Sequence, residues 1–201
     1  MEQQNINFSA SEVLKKIRAL NSDKKAIDFS NSKFSEAIEF NSLLFSKDAS
    51  FRNCIFERPV IFRDLVFSGI VDFSSCHFKD SVIFKNVRFS GLLFYNHTIF
   101  GGKLEINNGF FKAKTDFSNA IIEQGISINH SRFCFDALFC NVVLKKGIDI
   151  INSEFEELFD ISCDNEIEFR SIGKFYCVGT LFNKEARFRN REFLGITTFK
   201  N

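Results

Sequence analysis

From Ala26 to Glu157 the chain divides without a gap into twelve segments of eleven residues, running from AIDFSNSKFSE to GIDIINSEFEE. No other feature constrains the fold as much, because a fixed period of this kind marks stacked, repeated units. The fourth position is Phe in eight segments, and Tyr95, Ile106, Ile128 and Ile150 fill the other four. The ninth position is Phe in ten, with Ile122 and Leu144 in the remaining two. Phe therefore holds 18 of 24 slots, against about 3 or 4 expected from 29 Phe in 201 residues. The same bias explains an odd composition, in which 29 Phe stand beside 2 Tyr and no Trp. One core slot is used many times.

Eleven residues also fit three turns of an α-helix, but the inward set excludes that reading. Position 2 is apolar or Thr, and position 7 is mostly small (Ser32, Cys54, Cys76, Thr98, Gly109, Ala120). Apolar positions 2, 4, 7 and 9 are spaced by two within each pair, as on a strand. Each segment is thus two short strand-like sides joined by corners. Position 6 is Asn in seven segments and Ser, Asp or His in the others. Such short polar side chains favour tight corners because they bond nearby backbone. A single strip cannot bury its Phe, whereas stacked coils can.

Blocks such as VDFSS-CHFKD (Val71 to Asp80) and IDFSN-SKFSE (Ile27 to Glu36) each hold two five-residue units: a small or apolar residue, Asp or a polar residue, Phe, then two polar residues. Similar blocks fill the whole stretch from Ala26 to Glu157. In this the chain resembles the pentapeptide-repeat family, whose Phe-rich members share the eleven-residue cadence. The resemblance implies an all-β fold, a right-handed quadrilateral parallel β-helix (pentapeptide-repeat solenoid). One residue added after every second unit implies coils of two segments, about 22 residues each. A three-sided coil of three segments is the alternative. Six regular coils would make a rod of about 29 Å at the strand spacing of about 4.8 Å.

A short N-terminal capping α-helix is expected within residues 1–25. Ser9 and Glu12 form a capping-box pattern, Phe8 and Val13 occupy staple positions, and Val13, Leu14, Ile17 and Leu20 share a face. Residues 26–157 are the regular β-helix. Residues 158–185 break the cadence, as an insertion or an altered coil, and regularity returns at 186–201 with a shift of five. Arg191 then stands at a seventh position that every regular segment fills with a neutral residue.

The net charge of +1 advertises neither nucleic acid nor a membrane surface. Six Cys are too sparse for a disulfide scaffold. No signal peptide or apolar run of about 18 residues is seen. These features favour the cytoplasm, although secretion without a cleavable signal would leave the same pattern. No hydrolase elbow, P-loop, dinucleotide glycine pattern or zinc-ligand spacing occurs. His97 and His130 lie three segments apart, which is one and a half two-segment coils and so opposite sides of the rod. No catalytic, metal or cofactor-binding residue is assigned, and an enzyme is not expected.

The expected function is a non-catalytic protein-binding or scaffold solenoid, without direct nucleic-acid or membrane binding. From the family comes an alternative, a DNA-mimicking inhibitor or protector of a type II topoisomerase (DNA gyrase), which requires an acidic surface. Lys and Arg are absent from 147 to 169 around an acidic run. Within it Glu154, Glu156, Glu157, Asp160, Asp164, Glu166 and Glu168 are the candidate partner-binding residues. The Phe cadence persists to Phe199 with no second capping helix. A homodimer through residues 182–201, including Arg191, Phe193 and Phe199, is therefore a further expectation. A loop folding back over the coil, or a longer parent chain, would serve the same end.

Overall fold

Strand pairing sets the coil at two segments. Ile55, His77, Ile99, Ile121 and Val143 follow one another in parallel register, each two segments on from the last. Cys54 and Cys76 accordingly lie in neighbouring coils, which excludes the three-sided coil of three segments. The structure, a computed structural model, describes residues 6–164 and 170–200. It is a parallel β-solenoid of about nine turns with one short helix at its N-terminal end.

Each coil has four sides. The first side is an eight-stranded sheet from Ile27–Asp28 to Ala186–Arg187, and the second a nine-stranded sheet from Ile6–Phe8 to Arg191–Phe193. The third and fourth sides join as one 13-stranded sheet, because Val60–Phe67 and Val82–Phe89 run round the corner between them. Position 6 turns a corner in each half-coil with a positive φ of 48° to 62°, from Asn31 to Asn152. Asn and Asp tolerate this left-handed region better than most residues, and side-chain amides add ladders along two corners. Asn53 donates to Asn31 (3.1 Å), Asn86 to Asp64 (2.8 Å) and Asn108 to Asn86 (3.0 Å).

Inside, the Phe slots form columns. Phe29, Phe51, Phe73, Tyr95, Phe117 and Phe139 stack with centroids 4.7–5.6 Å apart and planes within 16° of parallel. Phe45, Phe67, Phe89, Phe111, Phe133 and Phe155 make a second column, with centroids 4.3–5.3 Å apart and planes within 26° of parallel. Burying each ring contributes roughly 1.5–3 kcal/mol, and offset aromatic contacts add to it. The small seventh residue has a bonding role as well as a packing one. Cys54, Cys76 and Thr98 donate to the carbonyls of Phe29 (3.0 Å), Phe51 (2.8 Å) and Phe73 (2.7 Å) in the preceding coil.

The helix, α1 (Ala10–Ser22), begins at Ser9 with both halves of the capping box formed. Val13 and Ile17 are fully buried against the first coil. Lys16 lies over the rings of Phe8 (5.1 Å) and Phe29 (4.5 Å), closing that end of a Phe column. Ahead of the helix, Ile6–Phe8 pairs with Ser32–Phe34, an added strand on the second side.

Register also locates the break in cadence. Phe159 keeps the two-segment spacing from its partner Ala137. Ile172 lies six positions beyond that spacing from Leu144, and Phe175 five positions beyond it from Ile148. Six residues are therefore added between Asp160 and Ile172, and one is lost before Phe175, giving the net shift of five. The pairing that follows, Phe175 with Thr197, is two segments again.

Candidate interaction surface

With the core filled by side chains, what the rod offers is the set of residues that alternate outward. The acidic run between 149 and 164 wraps round the coil and is divided among three sides. Glu154 and Glu156, on the fourth side, both meet Arg132 from the coil before, and Asn183 donates to Glu154 (2.8 Å). Glu157 receives Lys184 (2.6 Å), and Asp149, on the third side, receives Lys174 (2.6 Å). Asp160, on the first side, is buried, accepts from the Ser162 amide (2.8 Å) and faces Arg187 (3.7 Å). Asp164 is exposed beside the corner, and its amide donates to Asn141 (2.9 Å). Glu166 and Glu168 lie outside the described residues. Stacking thus brings Lys and Arg from neighbouring coils onto an acidic run that has none in its own stretch.

Arg191 turns inward. Its guanidinium donates to Val142 O (2.9 Å), Phe139 O (3.3 Å), Ser162 O (3.4 Å) and Ile161 O. Those carbonyls line the corner where the chain departs after Cys163, so the side chain supplies donors at the site of the insertion. Phe193 is half-buried, while Phe199, Leu194 and Ile196 are 59%, 67% and 73% exposed.

The second side carries a surface that residue types alone did not single out. Its outward column is Ile55, His77, Ile99, Ile121 and Val143, all half-buried, with no Asp, Glu, Lys or Arg for five consecutive coils. A comparable run is interrupted on the first side by Asp72 and Asp116, on the third by Glu105, and on the fourth by Arg88 and Arg132. The signal was present in the sequence, at the eighth position of alternate segments, and becomes visible once a two-segment coil separates the two halves. Beside the column stand ion pairs: Lys79 with Glu57 (3.0 Å), Lys33 with Glu57 (3.1 Å), and Lys145 with Glu123 (2.7 Å). Hydrogen bonds from Lys79 and Lys33 hold the Glu57 carboxyl below its ordinary value, and Lys145 does the same for Glu123.

Burial pushes the Cys76 thiol well up, and burial with Asp160, Asp164 and Asp116 nearby pushes Cys140 up to about 11. Both are therefore protonated near neutral pH, the form that is neither nucleophile nor metal ligand. Among the described residues no group of three or more His, Cys, Asp or Glu is placed to hold a metal ion. None of their helices is long and apolar enough to cross a membrane.

These features define a parallel β-solenoid, with a filled core and repeated outer ladders, and such a fold supports a non-catalytic scaffold protein. The family model for pentapeptide repeats, in nine copies, matches residues 29–76 and 51–96. Residues 29–96 thus carry pentapeptide repeats, which supports that family, and the register seen in this third of the chain continues through the coils that follow. No curated protein and no solved structure matches it.

Proposed function

We propose that this solenoid is a protein-binding scaffold whose outer sides engage another macromolecule. The observation that carries the reading is the Ile55–Val143 column, a surface on the second side that is free of Asp, Glu, Lys and Arg and β-branched at four of its five positions. A rod held by stacked rings presents such a column with little ordering left to lose on binding, which favours association. Six cysteines, none of them in a disulfide, support a cytoplasmic setting. Exposed Leu194, Ile196 and Phe199 support a second contact, a homodimer through residues 182–201.

The gyrase alternative needs an uncompensated acidic surface, and Arg132, Lys174, Lys184 and Arg187 offset the described part of the acidic run. A supercoiling assay separates the two readings. The scaffold reading expects no effect on gyrase, and inhibition at stoichiometric protein would replace it. Affinity capture with wild type and Ile121→Arg tests the surface itself. The reading expects a bound macromolecule that the variant loses while its melting temperature is kept. Equal capture by both proteins would remove the second side as the binding surface.

A further inference from the structure

The charges beside the second-side column follow a pattern that identifies an occupant. Along position 10 of alternate segments the order is Glu57, Lys79, Gly101, Glu123, Lys145. Reversed about Gly101, this order becomes its own complement: Glu57 falls opposite Lys145, and Lys79 opposite Glu123. The apolar column reverses onto itself in the same register, with Ile55 opposite Val143, His77 opposite Ile121, and Ile99 opposite Ile99. A shift of one coil either way destroys the match, setting Glu57 against Glu123 or Lys79 against Lys145. Gly101 and Gly102 leave no side chain at the centre, so two such faces can approach closely there.

We infer that the second side binds a second copy of this chain, with the two rods antiparallel and a two-fold axis through the coil of Ile99. This rests on the scaffold reading of that side and names its partner. A two-fold contact must be self-complementary, which is what the reversed column provides. Each intrachain pair, Glu57–Lys79 and Glu123–Lys145, then meets its inverse on the partner copy in a group of four charges, to which Lys33 adds a fifth beside Glu57. Arg58 and Lys146 fall opposite each other at the solvent rim, where salt screens like charges. The flanking position-6 corner contributes no Asp, Glu, Lys or Arg, only Asn53, Ser75, Asn119 and Asn141 with His97 at the centre. Five coils at about 4.8 Å give a patch roughly 24 Å tall. Such a patch lies at the small end of specific interfaces, so a weak dimer is expected, dissociating in the micromolar range or above.

The test uses full-length chains and two paired charge reversals, each of which keeps an ion pair within its own rod. One variant combines Glu57→Lys with Lys79→Glu; the other combines Glu123→Lys with Lys145→Glu. In sedimentation equilibrium, wild type is expected to dimerise, and each variant alone to dissociate at least tenfold more readily. Mixed together, the two variants recover every opposite-charge contact between the copies, although Lys33 loses its Glu57 partner within one rod, and they are expected to form a heterodimer of near wild-type affinity. That recovery excludes misfolding as the cause of the losses. Self-association of either variant at wild-type strength, or a mixture that stays monomeric while wild type dimerises, overturns the inference. Dimerisation abolished by Phe199→Ser and untouched by the reversals would assign the contact to residues 182–201 instead. A wild type monomeric well above the micromolar range that still captures another protein through Ile121 would sink the second copy and leave the scaffold reading standing.

Discussion

Replacing Tyr95 with Phe removes one oxygen from the middle of a six-ring column. The Tyr95 ring lies between Phe73 (5.1 Å, 3° from parallel) and Phe117 (4.7 Å, 11°), in a slot that is Phe in eight other segments. Its hydroxyl is buried and has no hydrogen-bond partner among the described residues. In the unfolded chain that hydroxyl is bonded to water, so folding strips it of a partner and supplies none. An unsatisfied buried group of this kind costs about 1–3 kcal/mol. Tyr95→Phe keeps the ring and its stacking, loses the desolvated oxygen, and should stabilise the protein by about 1 kcal/mol, or about 2–4 °C in melting temperature. Urea denaturation of the two proteins checks the sign. Burial also raises the Tyr95 phenol well above its ordinary value. The folded state therefore holds this proton more tightly than the unfolded chain does. The associated stability is complete below the unfolded value of about 10 and is lost as pH rises past it. The advantage of Tyr95→Phe should accordingly widen above about pH 10. A variant less stable than wild type at pH 7, with no widening at alkaline pH, would refute the argument and show that the hydroxyl has a partner within the core.

Phe73→Ala, in the same column, should lose roughly 3–5 kcal/mol, as other buried Phe truncations do; a loss under about 1 kcal/mol by chemical denaturation would mean the column collapses around the gap. Arg191→Met should cost about 2 kcal/mol, because the carbonyls of Phe139, Val142, Ile161 and Ser162 lose a charged donor. Amide exchange at that corner should rise while exchange near Phe73 stays unchanged. Stability should also fall on acidification. Hydrogen bonds from Ser30 hold the Asp28 carboxyl below its ordinary value; at Asp116 burial pushes the other way but Ser118 and Lys114 outweigh it. These contributions are full above the unfolded value of about 3.9 and are lost as pH falls through the depressed folded values. Asp116→Asn should be less stable than wild type at pH 7, and the gap should close below about pH 3.

What the sequence made legible was whatever repeats. Phe at positions 4 and 9 and short polar residues at position 6 predicted the columns and corners, because each is one physical requirement met many times. Ser9 and Glu12 likewise announced α1, since capping is local. The strand Ile6–Phe8 was missed, because three residues ahead of a helix carry no periodic signal. The break could be counted as five and confined to residues 158–185 but not divided into its parts, because six residues added at one corner and one lost at the next leave only their difference in the cadence. The acidic run from 149 to 164 looked like a single patch in linear order. Its partners Arg132, Lys174 and Lys184 come from other coils, and only the register brings them alongside. Arg191 was conspicuous as a charge in a neutral slot, but its inward direction depends on the gap left by the departing corner.

The stacked column has an optical consequence. Parallel rings this close together, 4.8 Å between Phe51 and Phe73, allow excitation to pass between neighbours, and this protein has no Trp to mask it. Phenylalanine emission overlaps tyrosine absorption, so light absorbed anywhere along Phe29 to Phe139 drains toward Tyr95. Tyrosine emission from the folded rod should therefore carry phenylalanine bands in its excitation spectrum. These bands should weaken as the coils come apart, and in a Tyr176→Phe variant, which leaves Tyr95 as the one tyrosine, they report on the middle of the rod without any added label.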